Sequence, residues 1–297
     1  MENDSNCGCG TNGSCKGEQN STCGCTNGSC EGEQKTASSD EGKHPPEMLA
    51  LNEFSNVKNV IAIMSGKRGV GKSSVTSLLA CGFRKKGFEV GVLDADITGP
   101  SLPKMFGVKG NPEQVAFGLL PLESSSGIKV MSVNLLMPVE DDPVIWRGPL
   151  LGKMVGQFWT DVVWTDLDYL FVDLPPGTGD VPLTVMQSLP LNGLIIVTSP
   201  QELAAMIVNK AIKMAKLMDI PILGLVENMS AAVCPKCGEE FQLFGPGHGK
   251  EISERFNIPF LGSLPIDPRL STLCDQGRVE DYESSLFTDF IPQQIRE

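Results

Sequence analysis

The stretch GKRGVGKSS at residues 66–74 constrains this chain more than any other part of it. It has the spacing Gly66-x-x-x-x-Gly71-Lys72-Ser73 of a phosphate-binding loop. Such a loop works only where a strand ends and a helix begins. The flanks supply both: VIAIMS ahead of it is an apolar strand candidate, and KSSVTSLLACGF behind it reads as a helix. In that setting the backbone of Gly66, Lys67, Arg68, Gly69, Val70 and Gly71, running into Lys72, Ser73 and Ser74, is expected to cradle phosphate at the positive end of the helix. Lys72 would neutralise β/γ-phosphate charge, and the Ser73 hydroxyl would hold Mg²⁺. A plain glycine turn would require neither the Lys-Ser ending nor this context. Lys67 is a second lysine that the spacing does not ask for.

The remaining pattern suits the fold that this loop demands. Short apolar runs at 59–65, 89–94, 129–136, 169–174, 193–199, 222–228 and 260–265 are strand candidates. Helix candidates lie at 72–86, 150–164, 201–219 and 248–256. Within 201–219, Leu203, Ile207, Ala211, Met214 and Met218 recur at helical spacing. The strands are apolar throughout instead of alternating, as expected where both faces are covered. Repeated βα units predict an α/β fold of the P-loop NTPase kind, a mostly parallel sheet flanked by helices, over 56–297. Residues 1–34 and 35–55 are poor in apolar side chains. They are expected to be a disordered Cys-rich tail and a flexible linker, stiffened at Pro45-Pro46.

Charge narrows the function. A net charge of -12 over 297 residues opposes a grip on nucleic acid or on an anionic membrane, since both rest on basic surface. No apolar run reaches the length of a spanning helix, and the start MENDSNCGCG has neither the basic nor the apolar part of a signal peptide. The expected compartment is therefore the reducing cytoplasm, where ten cysteines point to metal or redox chemistry before disulfides.

Acids and thiols complete the candidate set. Asp173, after four apolar residues in YLFVDLPPGTGD, stands where a Walker B acid would join Ser73 on Mg²⁺. Asp94 and Asp96 close another strand candidate, at the sheet edge where ligands of open α/β sheets bind. A lone Asp there is commonly a cap. Asp96 is assigned to orient the attacking water. Cys234-x-x-Cys237 puts two thiolates on one metal or cluster, and two more ligands are needed. A second chain, Cys81 with Cys274, or the tail can supply them. Cys81 lies in a helix candidate and reads most simply as a small buried residue, and Cys274 likewise as structural. The tail repeats itself, CGCGTNGSCKGEQ at 7–19 and CGCTNGSCEGEQ at 23–34. Its Cys7, Cys9, Cys15, Cys23, Cys25 and Cys30 suit a cluster, zinc or copper(I), against the plain alternative of a solvated tail that binds nothing.

GKRGVGKSS resembles the G-K-G-G-V-G-K-[ST]-[ST] loop of the deviant Walker A ATPases, the MinD/ParA and nitrogenase iron-protein group, departing at Arg68. With DADITGPSLPKMFG, VIWRGP, LDYLFVDLPPGTGDVPLT and CPKCG, the chain is similar to the Mrp/ApbC-type iron–sulfur cluster carrier ATPases over nearly all of 57–285. Smaller departures are Thr98 and His248. The resemblance implies a homodimer with ATP between the subunits, Lys67 crossing to the partner's nucleotide, and Asn228 touching nucleotide. It implies a shared 4Fe–4S cluster held by Cys234 and Cys237 of each chain, received from cluster donors and passed to apo iron–sulfur acceptor proteins. Arg147 in VIWRGP would be an interface contact or a structural ion pair. Some such relatives carry an N-terminal cluster on four cysteines, whose ferredoxin-like spacing the tail does not match. The competing expectation is a positioning ATPase of the MinD/ParA kind with zinc at the cysteine pair. The acidic segment YESSLFTDFIPQQIRE makes a poor membrane anchor for that role.

Overall fold

The computed structural model describes residues 48–96, 99, 101–137, 148–234 and 236–284. The six tail cysteines, most of the linker, Thr98 and Arg147 lie outside the described residues. β1 (Asn56–Ser65) leads through the phosphate loop into α1 (Lys72–Lys85), then β2 (Val90–Asp94) and the short α2 (Leu102–Met105). A small hairpin, β3 (Glu113–Val115) with β4 (Gly118–Leu120), precedes β5 (Leu122–Glu123) and β6 (Lys129–Ser132). α3 (Gly148–Asp161), β7 (Asp166–Asp173), α4 (Asp180–Ser188), β8 (Gly193–Thr198) and α5 (Glu202–Leu217) follow. The chain continues as β9 (Ile222–Val233), β10 (Glu240–Phe241), α6 (Gly249–Phe256), β11 (Phe260–Ile266) and α7 (Pro268–Asp275).

The main sheet has the order β10-β9-β8-β1-β7-β2-β6-β5, with β11 also paired to β9. Its pairings are parallel except β10 on β9 and β5 on β6. Alternation along β1 explains why its run is apolar throughout. Val60, Ala62 and Met64 face a core shared with Val155, Phe158, Val208 and Ile212 of α3 and α5. Ile61 and Ile63 face the other core, with Val75, Leu79 and Phe83 of α1. Parallel strands bring their carboxyl ends to one edge, so Ser65, Asp94, Asp173 and Thr198 end neighbouring strands there.

Several elements differ from expectation. The run at 129–136 is a strand only to Ser132, after which Val133–Leu136 forms a 3-10 turn at the sheet edge. α3 stops at Asp161, short of 164. Past it the Val163 N–H donates to Leu119 O at 2.8 Å, and the fully buried Trp164 donates from Nε1 to Phe158 O at 3.1 Å. Packed contacts begin ahead of β1, inside the segment read as linker. Leu49 and Leu51 lie against the core, and Leu49 O accepts the Trp159 indole N–H at 3.0 Å. α4 and α7 were not expected. α7 opens with Asp267 accepting the Arg269 N–H at 2.8 Å and Pro268 in its first turn, a helix-start signal.

Candidate functional site

The phosphate loop is shaped by two glycines in the left-handed region, Gly69 at φ 80° and Gly71 at φ 77°. Gly71 has a further constraint, since a Cβ there would stand 2.1 Å from Nδ2 of Asn228. That amide reaches the loop from β9 and donates to Val70 O at 2.9 Å. Asn228 thus props the loop from beneath in this structure. The Ser65 hydroxyl donates to Lys67 O at 3.1 Å from the other side. α1 begins at Gly71 with no side-chain cap and no acid in its first turn, so its amide end keeps its positive character.

Asp173 is the hub. It ends β7 with no exposure at all, a position a carboxylate holds only when paired. Lys72 Nζ lies 2.6 Å from its Oδ2 as an ion pair without hydrogen-bond alignment. The Ser73 hydroxyl donates to the same oxygen at 2.6 Å, and the Thr76 hydroxyl to Oδ1 at 2.7 Å. Thr76 lies three residues from Ser73 and four from Lys72, so its hydroxyl reaches Asp173 from the same side of the first turn of α1. The Ser73 and Asp173 oxygens are hard donors and fit Mg²⁺.

The two acids at the end of β2 divide their work. Asp94 Oδ1 accepts the Asp96 N–H at 3.1 Å, and Oδ2 accepts those of Ser101 and Leu102 at 3.0 and 3.2 Å. It organises the turn into α2. Burial, then the nearby Asp173 carboxylate, push its pKa up, while Lys72 and the Leu102 amide oppose. Asp96 lines a cavity of about 220 Å³ together with Lys67, Lys72 and Ser73. A cavity of about 380 Å³ between α2 and α7 shares none of those residues. Lys67 does not join Lys72 on Asp173. Its ammonium donates to the side-chain carbonyl of Gln201, just ahead of α5.

Cys234 follows the last residue of β9. Its N–H donates to Glu239 O, and its carbonyl accepts the Gly238 N–H, both at 2.9 Å, closing a tight knuckle in which Gly238 takes φ 74°. The backbone N–H groups of Cys237 and then Lys236 point at the Cys234 sulfur, and with the Cys237 thiol they lower its pKa. Thiolate is the form that ligates soft metals. Burial pushes Cys81 up to about 12 and Cys274 up to about 11, and both, Cys81 on α1 and Cys274 on α7, belong to the same core. Neither is grouped with Cys234 and Cys237 among the described residues. Among the described residues no group of three or more His, Cys, Asp or Glu is placed to hold a metal ion.

Three contributors escaped the sequence reading. Thr76 had a signal, its spacing from Ser73, whereas Gln201 had none. Glu227 is buried on β9 and accepts the Gly249 N–H at 2.8 Å, at the start of α6. A Cβ at Gly247 would meet its Oε2 at 2.1 Å, and one at Gly249 would meet Phe260 at 2.7 Å, which accounts for these two glycines of GPGHGK. No described helix is long and apolar enough to cross a membrane.

Comparisons with known proteins agree with this geometry. A family profile described as ParA, NUBPL iron-transfer P-loop NTPase, matches residues 56–295. An iron-sulfur cluster carrier protein of Clostridium perfringens is 45% identical over 259 residues, 83% of this chain and 90% of its own length. One from Methanocaldococcus jannaschii is 48% identical over 226 residues, 75% of this chain and 78% of its own. Among solved structures, a nucleotide-binding protein from Archaeoglobus fulgidus in complex with ADP has a TM-score of 0.71 at 47% identity, covering 79% of this chain and 93% of that one. MinD in the MinC:MinD complex of Aquifex aeolicus shares the fold, with a TM-score of 0.51 at 19% identity over 74% of this chain and 86% of that one.

Proposed function

The chain belongs to the ParA-type, NUBPL iron-transfer P-loop NTPases, and on that premise we propose that it is an ATP-dependent iron–sulfur cluster carrier. One observation carries the reading: a chain with a phosphate loop presents the solvent-reachable cysteine pair Cys234 and Cys237, beside which no further ligand stands among the described residues. A twofold dimer supplies the missing pair with the same two residues. Cys234 and Cys237 of each chain then hold one 4Fe–4S cluster as cargo, received from a donor and passed to an apo iron–sulfur acceptor.

Nucleotide chemistry falls to the loop. Lys72 turns from Asp173 to the β/γ-phosphates, and the amide end of α1 receives the remaining charge. Ser73 and Asp173 would hold Mg²⁺, which supplies neutralising charge at the phosphate oxygens. Asp96 orients the attacking water, and Thr76 keeps Asp173 in place. Lys67 leaves Gln201 to reach the partner's nucleotide, which explains a second lysine in a loop whose own phosphates already have one. Hydrolysis changes cargo affinity only if ATP distinguishes two dimer states by free energy. The tail cysteines form a separate metal-binding set. Net acidity and the cysteine count support action in a reducing cytoplasm, away from nucleic acid and membrane.

Anaerobic reconstitution followed by iron and sulfide analysis tests the reading. Replacing both Cys234 and Cys237 by Ala should remove about four iron and four sulfide per two chains and end transfer to an apo-acceptor. Unchanged content and transfer in that variant would sink it.

A further inference from the structure

β9 touches both halves of the site. Its upstream part is clamped. Pairing with β8 runs to Thr198 opposite Glu227, and Glu227 is itself fixed to α6 through Gly249 at 2.8 Å. At the next residue the strand reaches the phosphate loop, through the Asn228 amide on Val70 O and against Gly71.

Past that contact the strand is irregular. Met229 takes φ 61°, the left-handed region, in mid-strand, a conformation that residues with a Cβ resist. Its Cε lies 3.8 Å from where a Gly71 Cβ would stand. The register against β11 slips at the same place. Asn228 pairs with Leu264 and Ala232 with Ile266, so four steps of β9 match two of β11. The Ser230 hydroxyl ties this bulge to Leu264 O at 3.1 Å. Ala232 and Val233 then pair with β10, and Cys234 opens the knuckle. Cys234 lies six positions beyond Asn228, at most about 20 Å of extended chain.

We propose that the β9 bulge couples the phosphate loop to the cysteine knuckle. Phosphate binding reshapes the Val70–Gly71 backbone, and Asn228 follows the carbonyl that it holds. The upstream strand cannot give, because β8 and α6 fix it. The displacement is taken up at Met229 and Ser230, where a strained residue in a bulge has a second backbone arrangement within reach. The knuckle beyond is then presented differently with and without nucleotide. The inference rests on Cys234 and Cys237 being the cargo ligands, and it names how nucleotide state reaches them.

The test is site-resolved alkylation of the full chain with iodoacetamide, read by mass spectrometry. Rates are taken without nucleotide, with Mg·ADP and with a non-hydrolysable Mg·ATP analogue, all saturating, with nucleotide affinity measured in parallel. Thiol reactivity follows thiolate character and access, so it reports the knuckle without any cluster present. In the wild-type chain nucleotide should change the Cys234 or Cys237 rate by about fivefold or more, the lower range of measured couplings. Buried Cys81 serves as the control for global opening. Asn228→Ala removes the contact at the loop end, and Met229→Gly relieves the strain without touching that hydrogen bond. Both should bring the nucleotide effect close to unity. If Asn228→Ala fails to fold or to bind nucleotide, Met229→Gly decides alone. A wild-type chain that binds nucleotide without any change at the knuckle overturns the proposal, as does a folded, nucleotide-binding variant that keeps the full effect. A chain that responds to nucleotide yet never holds a cluster would instead sink the carrier reading and leave the coupling standing.

Discussion

Gly71→Ala is the substitution whose outcome follows most directly from the geometry. Two costs arise. At φ 77° the backbone is in the left-handed region, which costs an alanine about 1–2 kcal/mol. The new Cβ would also lie 2.1 Å from Asn228 Nδ2, so that side chain must turn away and release Val70 O. A lost hydrogen bond of this kind is worth about 1 kcal/mol. The sum is about 2–3 kcal/mol, a fall in Tm of roughly 5–10 °C for a domain of this size. Gly69→Ala is the matched control, because Gly69 has φ 80° and nothing within 4 Å of its Cβ position. It should show the backbone cost alone. Thermal and urea denaturation of both variants isolate the clash as their difference, about 1 kcal/mol. Adding Asn228→Ala to Gly71→Ala should then cost less than the sum of the single changes, since the obstacle is gone. Equal losses at Gly69 and Gly71, or strict additivity with Asn228→Ala, would refute the packing argument.

Lys72→Ala should lose nucleotide binding in a calorimetric titration. It should also lose about 3–5 kcal/mol of stability, because Asp173 remains buried without its cation. Adding Asp173→Asn should restore the stability and leave nucleotide binding absent. Glu280 supplies a pH signature. Half-burial alone would raise its pKa, but the hydroxyls of Ser124, Ser125 and Ser126 and the Ser126 amide more than offset that and hold it below the ordinary 4.5. A depressed carboxylate stabilises the fold above its unfolded pKa and loses that contribution as pH falls through the folded value. The stability gap between wild type and Glu280→Gln should therefore be constant above about pH 5.5 and shrink on acidification below 4.5, as read by urea melts across pH. A gap that widens on acidification would reverse the assignment.

The phosphate loop was legible because its chemistry is written in backbone needs. Gly71 must take a left-handed φ, and Lys72 and Ser73 must open the helix against Asp173 at a strand end. The same holds for the apolar strands, whose two-sided burial leaves a plain compositional trace. What escaped was set by tertiary contact. The hold of the Asn228 amide on Val70 O, a partner 158 positions away, left no sign in the local sequence. Gln201 carries no local sign that it would hold Lys67. The strand read at 129–136 ended early because apolar residues past Ser132 satisfy a 3-10 turn as well as a strand. α4 was hidden by Pro182 near its start, although proline is tolerated in a first turn. The split between Asp94 and Asp96 needed the backbone of Ser101 and Leu102, which spacing alone does not place.

Two chains sharing one cluster through Cys234 and Cys237 is the claim on which the rest turns. Native mass spectrometry of the anaerobically reconstituted full chain tests it most directly. The account predicts a dimer whose mass includes one 4Fe–4S cluster at the interface, and the disappearance of that dimer-linked cluster when both cysteines are replaced by Ala. A cluster carried by the single chain, or a cluster-bearing dimer that survives the double replacement, would contradict it.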